Sequence, residues 1–139
     1  MKIYYAIFYP LETGWGVRFP DAESINTGGS NLDEALAMAT DALSGLMVVG
    51  RKGREYQDPR SYDKIKREAV EGELVFPVVP DEKIMEEYRP KKRINVMVPV
   101  DLLEKVGEVV KKSEDLDRSK LFCAAVEQYL SGGDEHHAQ

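Results

Sequence analysis

The chain has 139 residues, enough for one ordinary domain or two small ones. Charged residues make up 32% and apolar residues 42%, a globular profile that argues against a disordered or fibrous chain. A single cysteine, Cys123, excludes a disulfide within the chain and fits a reducing cytoplasm. Residues 1–88 hold 10 Lys and Arg against 16 Asp and Glu, a net of −6, while residues 89–139 hold 9 of each, a net of 0. The acidic first part disfavours nucleic acid and suits a basic partner.

The first segment, MKIYYAIFYP, is apolar but alternates and ends at Pro10. It is too short for a membrane span and lacks a small-residue cleavage site, so neither a membrane anchor nor a signal peptide is expected. Ile3, Tyr5, Ile7 and Tyr9 alternate with Tyr4, Ala6 and Phe8. Both faces are apolar, which predicts a central strand. Glu12-Thr13-Gly14 reads as a hairpin turn. Trp15, Val17 and Phe19 alternate with Gly16 and Arg18 in a second strand, which Pro20-Asp21 ends. A third, around Ser24 to Thr27, runs into Gly28-Gly29.

Asn31 or Ser30 can cap a helix whose first turn carries Asp33 and Glu34, where the helix dipole favours acids. Its apolar residues, Leu32, Ala35, Leu36, Ala39, Leu43 and Leu46, recur at helical spacing, and Gly50 ends it. Residues 51–60 form a polar loop. Ser61 to Glu71 is a weaker helical segment, and Leu74 to Val79 a fourth strand. The pattern predicts an α+β domain over residues 1–79 with a largely antiparallel sheet and one main helix. Residues 80–92, PDEKIMEEYRPKK, mix proline, acids and bases and read as a linker with one helical turn at Lys83 to Tyr88.

Residues 93–98 alternate strictly. Ile94, Val96 and Val98 point one way; Arg93, Asn95 and Met97 point the other, and Pro99 stops the run. Two helices follow. Asp101 opens the first, with Leu103, Val106, Val109 and Val110 as its stripe. Asp117 caps the second, which would bury Leu121, Phe122, Ala125, Val126 and Tyr129, with Cys123 beside them. Residues 132–139 are a polar tail. A lone strand with two helices cannot bury enough apolar surface to fold alone, and it has two unpaired edges. Both problems vanish if two chains pair their strands across a two-fold axis. Arg93, Asn95 and Met97 then stand on the open face of a two-stranded ribbon that fits the major groove of B-DNA.

KRINVMVP, the two helices and the Asp117-Arg118-Ser119 turn resemble a ribbon-helix-helix DNA-binding domain of the Arc, MetJ and CopG type over residues 93–131. The resemblance implies base contacts from Arg93, Asn95 and Met97. It also implies phosphate contacts from Lys91 and Lys92 and from the start of the second helix at Arg118 and Ser119. The first part is similar to the antitoxin domain of the HicB family. Tyr5-Ala6, Gly14-Trp15-Gly16, Phe19-Pro20-Asp21, Thr27-Gly28, Leu32-Asp33-Glu34-Ala35 and the later GELVFPVVP carry that likeness. The loop at 51–60 is longer and more charged than the family pattern.

That resemblance implies a partial RNase H-like fold. It also implies inhibition by binding: the first domain would pair with a small basic HicA-like toxin that degrades mRNA, and the second would bind operator DNA of its own operon. Trp15, Arg18, Asp21 and Glu23 are the candidate toxin contacts. The same residues also fit a stand-alone repressor whose first domain binds a ligand or only oligomerises. A nuclease fits poorly, because IYYAIFY carries no acid for a two-metal site. His136 and His137, adjacent in the tail, lack further ligands at useful spacing, so no metal, cofactor or catalytic residue is expected. The ribbon demands at least a homodimer; dimer against tetramer is left open.

Overall fold

The computed structural model describes residues 2–50 and 56–132 of the chain. It divides into two compact units, Met1–Lys91 and Lys92–Gln139. Residues 51–55 of the polar loop, and 133–139 of the tail with both histidines, lie outside the described residues.

The first unit is α+β. Strands β1 (Tyr4–Leu11), β2 (Gly14–Arg18), β3 (Asn26–Gly29) and β4 (Leu74–Val78) form an antiparallel sheet in the order β3-β2-β1-β4. β1 is central, as its two apolar faces require. Glu12-Thr13 links β1 to β2, with Leu11 paired to Gly14. Gly14 has φ +146°, and a Cβ there would meet the Gly29 carbonyl oxygen, so only glycine fits this corner.

Helix α1 (Leu32–Val49) begins at Asn31, whose side chain accepts a hydrogen bond from the Glu34 amide at 2.8 Å. It lays Ala35, Ala39 and Leu43 on Tyr4, Ala6, Phe8, Val17 and Val78 of the sheet, and these residues form the core. On the other face of the sheet, α2 (Tyr62–Glu68) packs against β1 and β4. Tyr5 and Tyr62 meet edge to face there, and Ile7 and Ile65 are fully buried. α1 and α2 together carry the chain from one edge strand to the other.

Residues 80–92 are not a plain linker. Helix α3 (Glu82–Tyr88) follows β4 and docks on α1. The Asp81 amide donates to Ser44 Oγ at 2.8 Å, and the Tyr88 hydroxyl donates to Asp41 at 2.8 Å. Gly45 leaves room for the Tyr88 ring: a Cβ there would come within 3.0 Å of it. These contacts hold the chain to the first unit through Tyr88.

The second unit has α4 (Val100–Lys111) and α5 (Arg118–Ser131). Asp117 caps α5 by accepting from the Lys120 amide at 2.8 Å. Val106, Val110, Leu116 and Leu121 are half-buried between the helices. Phe122, Val126 and Tyr129 are exposed in the single chain, and so is Cys123, contrary to the expectation of burial. Within the second unit, among the described residues, α4 and α5 pack only on each other, which leaves those residues uncovered. Residues 93–98 form no strand within one chain, because no neighbouring strand supplies hydrogen bonds.

Candidate functional site

In the first unit the four candidate contact residues do not share one role. Trp15 is half-buried and packs against the core, so its ring supports the sheet. Asp21 is only 4% exposed. Its carboxylate accepts three hydrogen bonds, from Gln57 Nε2, the Arg60 amide and Arg60 Nε, each at 2.7 Å. The Gln57 amide also donates to the Asp21 carbonyl at 2.9 Å, and Gln57 in turn accepts at its carbonyl from the Tyr4 hydroxyl at 2.8 Å. Lys2 and Asp58 pair beside them. Asp21 therefore fastens residues 57–60 to the β2–β3 connection and is not a surface contact. Burial pushes its carboxyl up, but donation from the Arg60 backbone, the Gln57 amide and the Arg60 guanidinium holds it below the usual carboxylate range.

Arg18 and Glu23, the other two candidates, share a cleft of about 430 Å³ with Phe19, Gln57, Arg60 and Glu68. Arg18 pairs with Glu73 at 3.6 Å, and Arg60 bridges Asp21 at 2.7 Å and Glu68 at 3.1 Å. Gln57, Arg60, Glu68 and Glu73 lie 36 or more residues from Asp21 and carry no local pattern that marks them.

Lys91 at the end of the first unit and Lys92, Arg93 and Asn95 in the second are all exposed, and Met97 is fully so. Ile94 and Val96, the intended core face, are 64% and 56% exposed in the single chain. Arg118 and Ser119 open α5, where first-turn amides lack intrahelical partners. Among the described residues no group of three or more His, Cys, Asp or Glu is placed to hold a metal, and no helix is long and apolar enough to cross a membrane.

The family model described as "HicB_like antitoxin of bacterial toxin-antitoxin system" matches residues 5–126, which span both units. Antitoxin HicB 2 of Photorhabdus laumondii is 62% identical over 32 residues, which cover 23% of this chain and 23% of that protein. That match therefore spans less than a quarter of the curated relative's length. Among solved structures, the crystal structure of the Burkholderia pseudomallei antitoxin HicB aligns with a TM-score of 0.51 at 20% identity, covering 96% of this chain and 99% of that one. A toxin-antitoxin complex from Streptococcus pneumoniae aligns with a TM-score of 0.50 at 22% identity, covering 91% and 97%. At these identities the two structures speak for the fold.

Proposed function

This chain belongs to the HicB-like antitoxin family of bacterial toxin-antitoxin systems, and from that premise we propose that it neutralises a HicA-like, mRNA-degrading toxin by direct binding and represses its own operon. The family is a regulatory kind of protein, not an enzymatic one. The carrying observation is the family match over residues 5–126, which takes in the acidic first unit and the helical second unit alike.

The division of labour follows from charge and from unfinished surface. Residues 1–88 carry the whole net charge of −6 and suit a basic protein. The second unit leaves Ile94, Val96, Phe122 and Val126 exposed in one chain. Pairing residues 93–98 of two chains would satisfy the strand edges and cover Ile94 and Val96. Arg93, Asn95 and Met97 would then face the major groove, with Arg suited to guanine, Asn to adenine and Met to a thymine methyl. Lys91, Lys92 and the amides of Arg118 and Ser119 would take phosphates. The protein would work in the cytoplasm as a ribbon-paired dimer or a multiple of it.

The test is co-expression of the tagged chain with its flanking genes, followed by a gel shift on the operon's promoter. A small basic protein that co-purifies and is silenced by the chain, together with a promoter-specific shift, supports the reading. DNA binding without any protein partner would leave a stand-alone repressor.

A further inference from the structure

The chain that joins the two units is not uniform. Residues 89–99 carry no helix or strand, and residues 89–97 are exposed. The stretch before them is helix α3, which lies on α1. Its hold there is narrow. α3 has no buried residue: Ile84 and Met85 are half-buried, and Tyr88 is 40% exposed. The fastening sits at its two ends. The Asp81 amide donates to Ser44 Oγ at one end; at the other the Tyr88 hydroxyl donates to Asp41 and the Tyr88 ring lies over Gly45. The seat for that ring is built into α1, because glycine inside a helix weakens it relative to alanine and here leaves the room the ring occupies.

A helix of seven residues is too short to persist in water once it leaves its support. α3 is therefore docked and helical, or released and unwound, and the two states differ in reach. When it is docked, Tyr88 is the last fastened residue, and five Cα steps lead to Arg93, where the alternating segment begins. Those steps span at most about 18 Å. When it is released, the last fastened residue is the buried Pro80, and 13 steps lead to Arg93. They span at most about 45 Å.

We propose that α3 is a detachable clip that sets the length of the leash between the two units. The leash is short while Tyr88 sits over Gly45 and more than doubles when α3 leaves α1. A partner held on the first unit is kept close to whatever the second unit holds only while the clip is closed, because the effective concentration of tethered sites falls with roughly the −3/2 power of leash length. The inference needs only the two units and the chain joining them, so it stands apart from the identity of any toxin.

The experiment compares wild type, Tyr88→Ala and Gly45→Leu as full-length chains. Limited trypsin digestion, with the cuts identified by mass spectrometry, is paired with solution scattering of the intact proteins. Trypsin sites lie at Lys83 inside α3 and at Lys91, Lys92 and Arg93 beyond it. Cutting requires an unwound chain, so Lys83 reports release of the clip, while the other three report the leash in either state. Tyr88→Ala removes the ring; Gly45→Leu fills its seat with a residue that favours helix more than glycine does. Both variants should speed cutting after Lys83 roughly tenfold or more and leave the other cuts within about twofold of wild type. Both should lengthen the longest dimension in scattering by roughly 10–20 Å. Trp15, the only tryptophan, should keep its folded fluorescence spectrum in both. Wild-type cutting after Lys83 as fast as after Lys91 would overturn the docked clip. Variants in which Lys83 stays protected, or is cut with no lengthening, would overturn the leash role. An unfolded Trp15 spectrum in both variants would make α3 part of the core and overturn its detachment.

Discussion

Replacing Asp21 by asparagine tests the fastening of residues 57–60 with almost no change of shape. In the wild type, Oδ1 accepts from Gln57 Nε2 and Arg60 Nε, and Oδ2 from the Arg60 amide. Asparagine can keep its oxygen toward the first two donors, but its NH2 then faces the Arg60 amide, donor against donor. One hydrogen bond is lost in a site 4% exposed, at about 1–3 kcal/mol, and the two that remain lose their charge assistance. The Arg60 side chain is 35% exposed and stays anchored on Glu68, so water recovers part of the loss. A net cost of about 2–4 kcal/mol at pH 7 follows. For a unit of this size that lowers the melting temperature by roughly 10–20 °C.

Trp15 is the only tryptophan and packs on the core of the first unit, so its fluorescence in urea reports that unit alone. The pH dependence adds a second check. Asp21 has a folded-state pKa below its ordinary value. Its contribution is therefore complete above the unfolded pKa of about 3.9 and is lost as pH falls through the lower folded value. The stability gap between wild type and Asp21→Asn should be flat from pH 7 to about 5 and narrow in stronger acid. A gap under about 0.5 kcal/mol at pH 7, or one that does not narrow in acid, would refute the fastening role.

Three further outcomes are expected. Leu43→Ala, which empties a fully buried position of α1, should cost about 2–5 kcal/mol in the same fluorescence-monitored urea titration. Gly14→Ala places a Cβ against the Gly29 carbonyl at a φ of +146° and should cost about 2 kcal/mol or more, read as a lowered melting temperature. Arg93→Ala with Asn95→Ala should leave the oligomer unchanged in analytical ultracentrifugation but abolish the sequence-specific gel shift, at about 1–3 kcal/mol per lost base contact; an unchanged shift would remove these residues from the reading face.

The elements whose period decides their burial were legible in the sequence. β1 alternates with two apolar faces and is the central strand; Asn31 caps α1 with Asp33 and Glu34 in the first turn. What was not legible depends on partners distant in sequence. Asp21 next to Pro20 reads as a turn residue at the surface, and only the return of the chain at Gln57 and Arg60 buries it. The stretch from 80 to 92 looks like a linker because prolines and charges dominate it. Tyr88 docks there against the glycine at position 45 of α1, where a Cβ would crowd its ring, a match between two segments that neither shows alone. The expectation that Cys123 is buried fails in the single chain because, among the described residues of the second unit, α5 packs on α4 alone.

The measurement that bears most directly on the antitoxin account is a pull-down of the tagged full chain expressed with its flanking genes. The account predicts a small basic protein recovered in fixed stoichiometry, retained by the chain when Arg93 and Asn95 are both alanine. Recovery of the chain alone, with promoter binding intact, would contradict it and leave the acidic first unit with a different ligand.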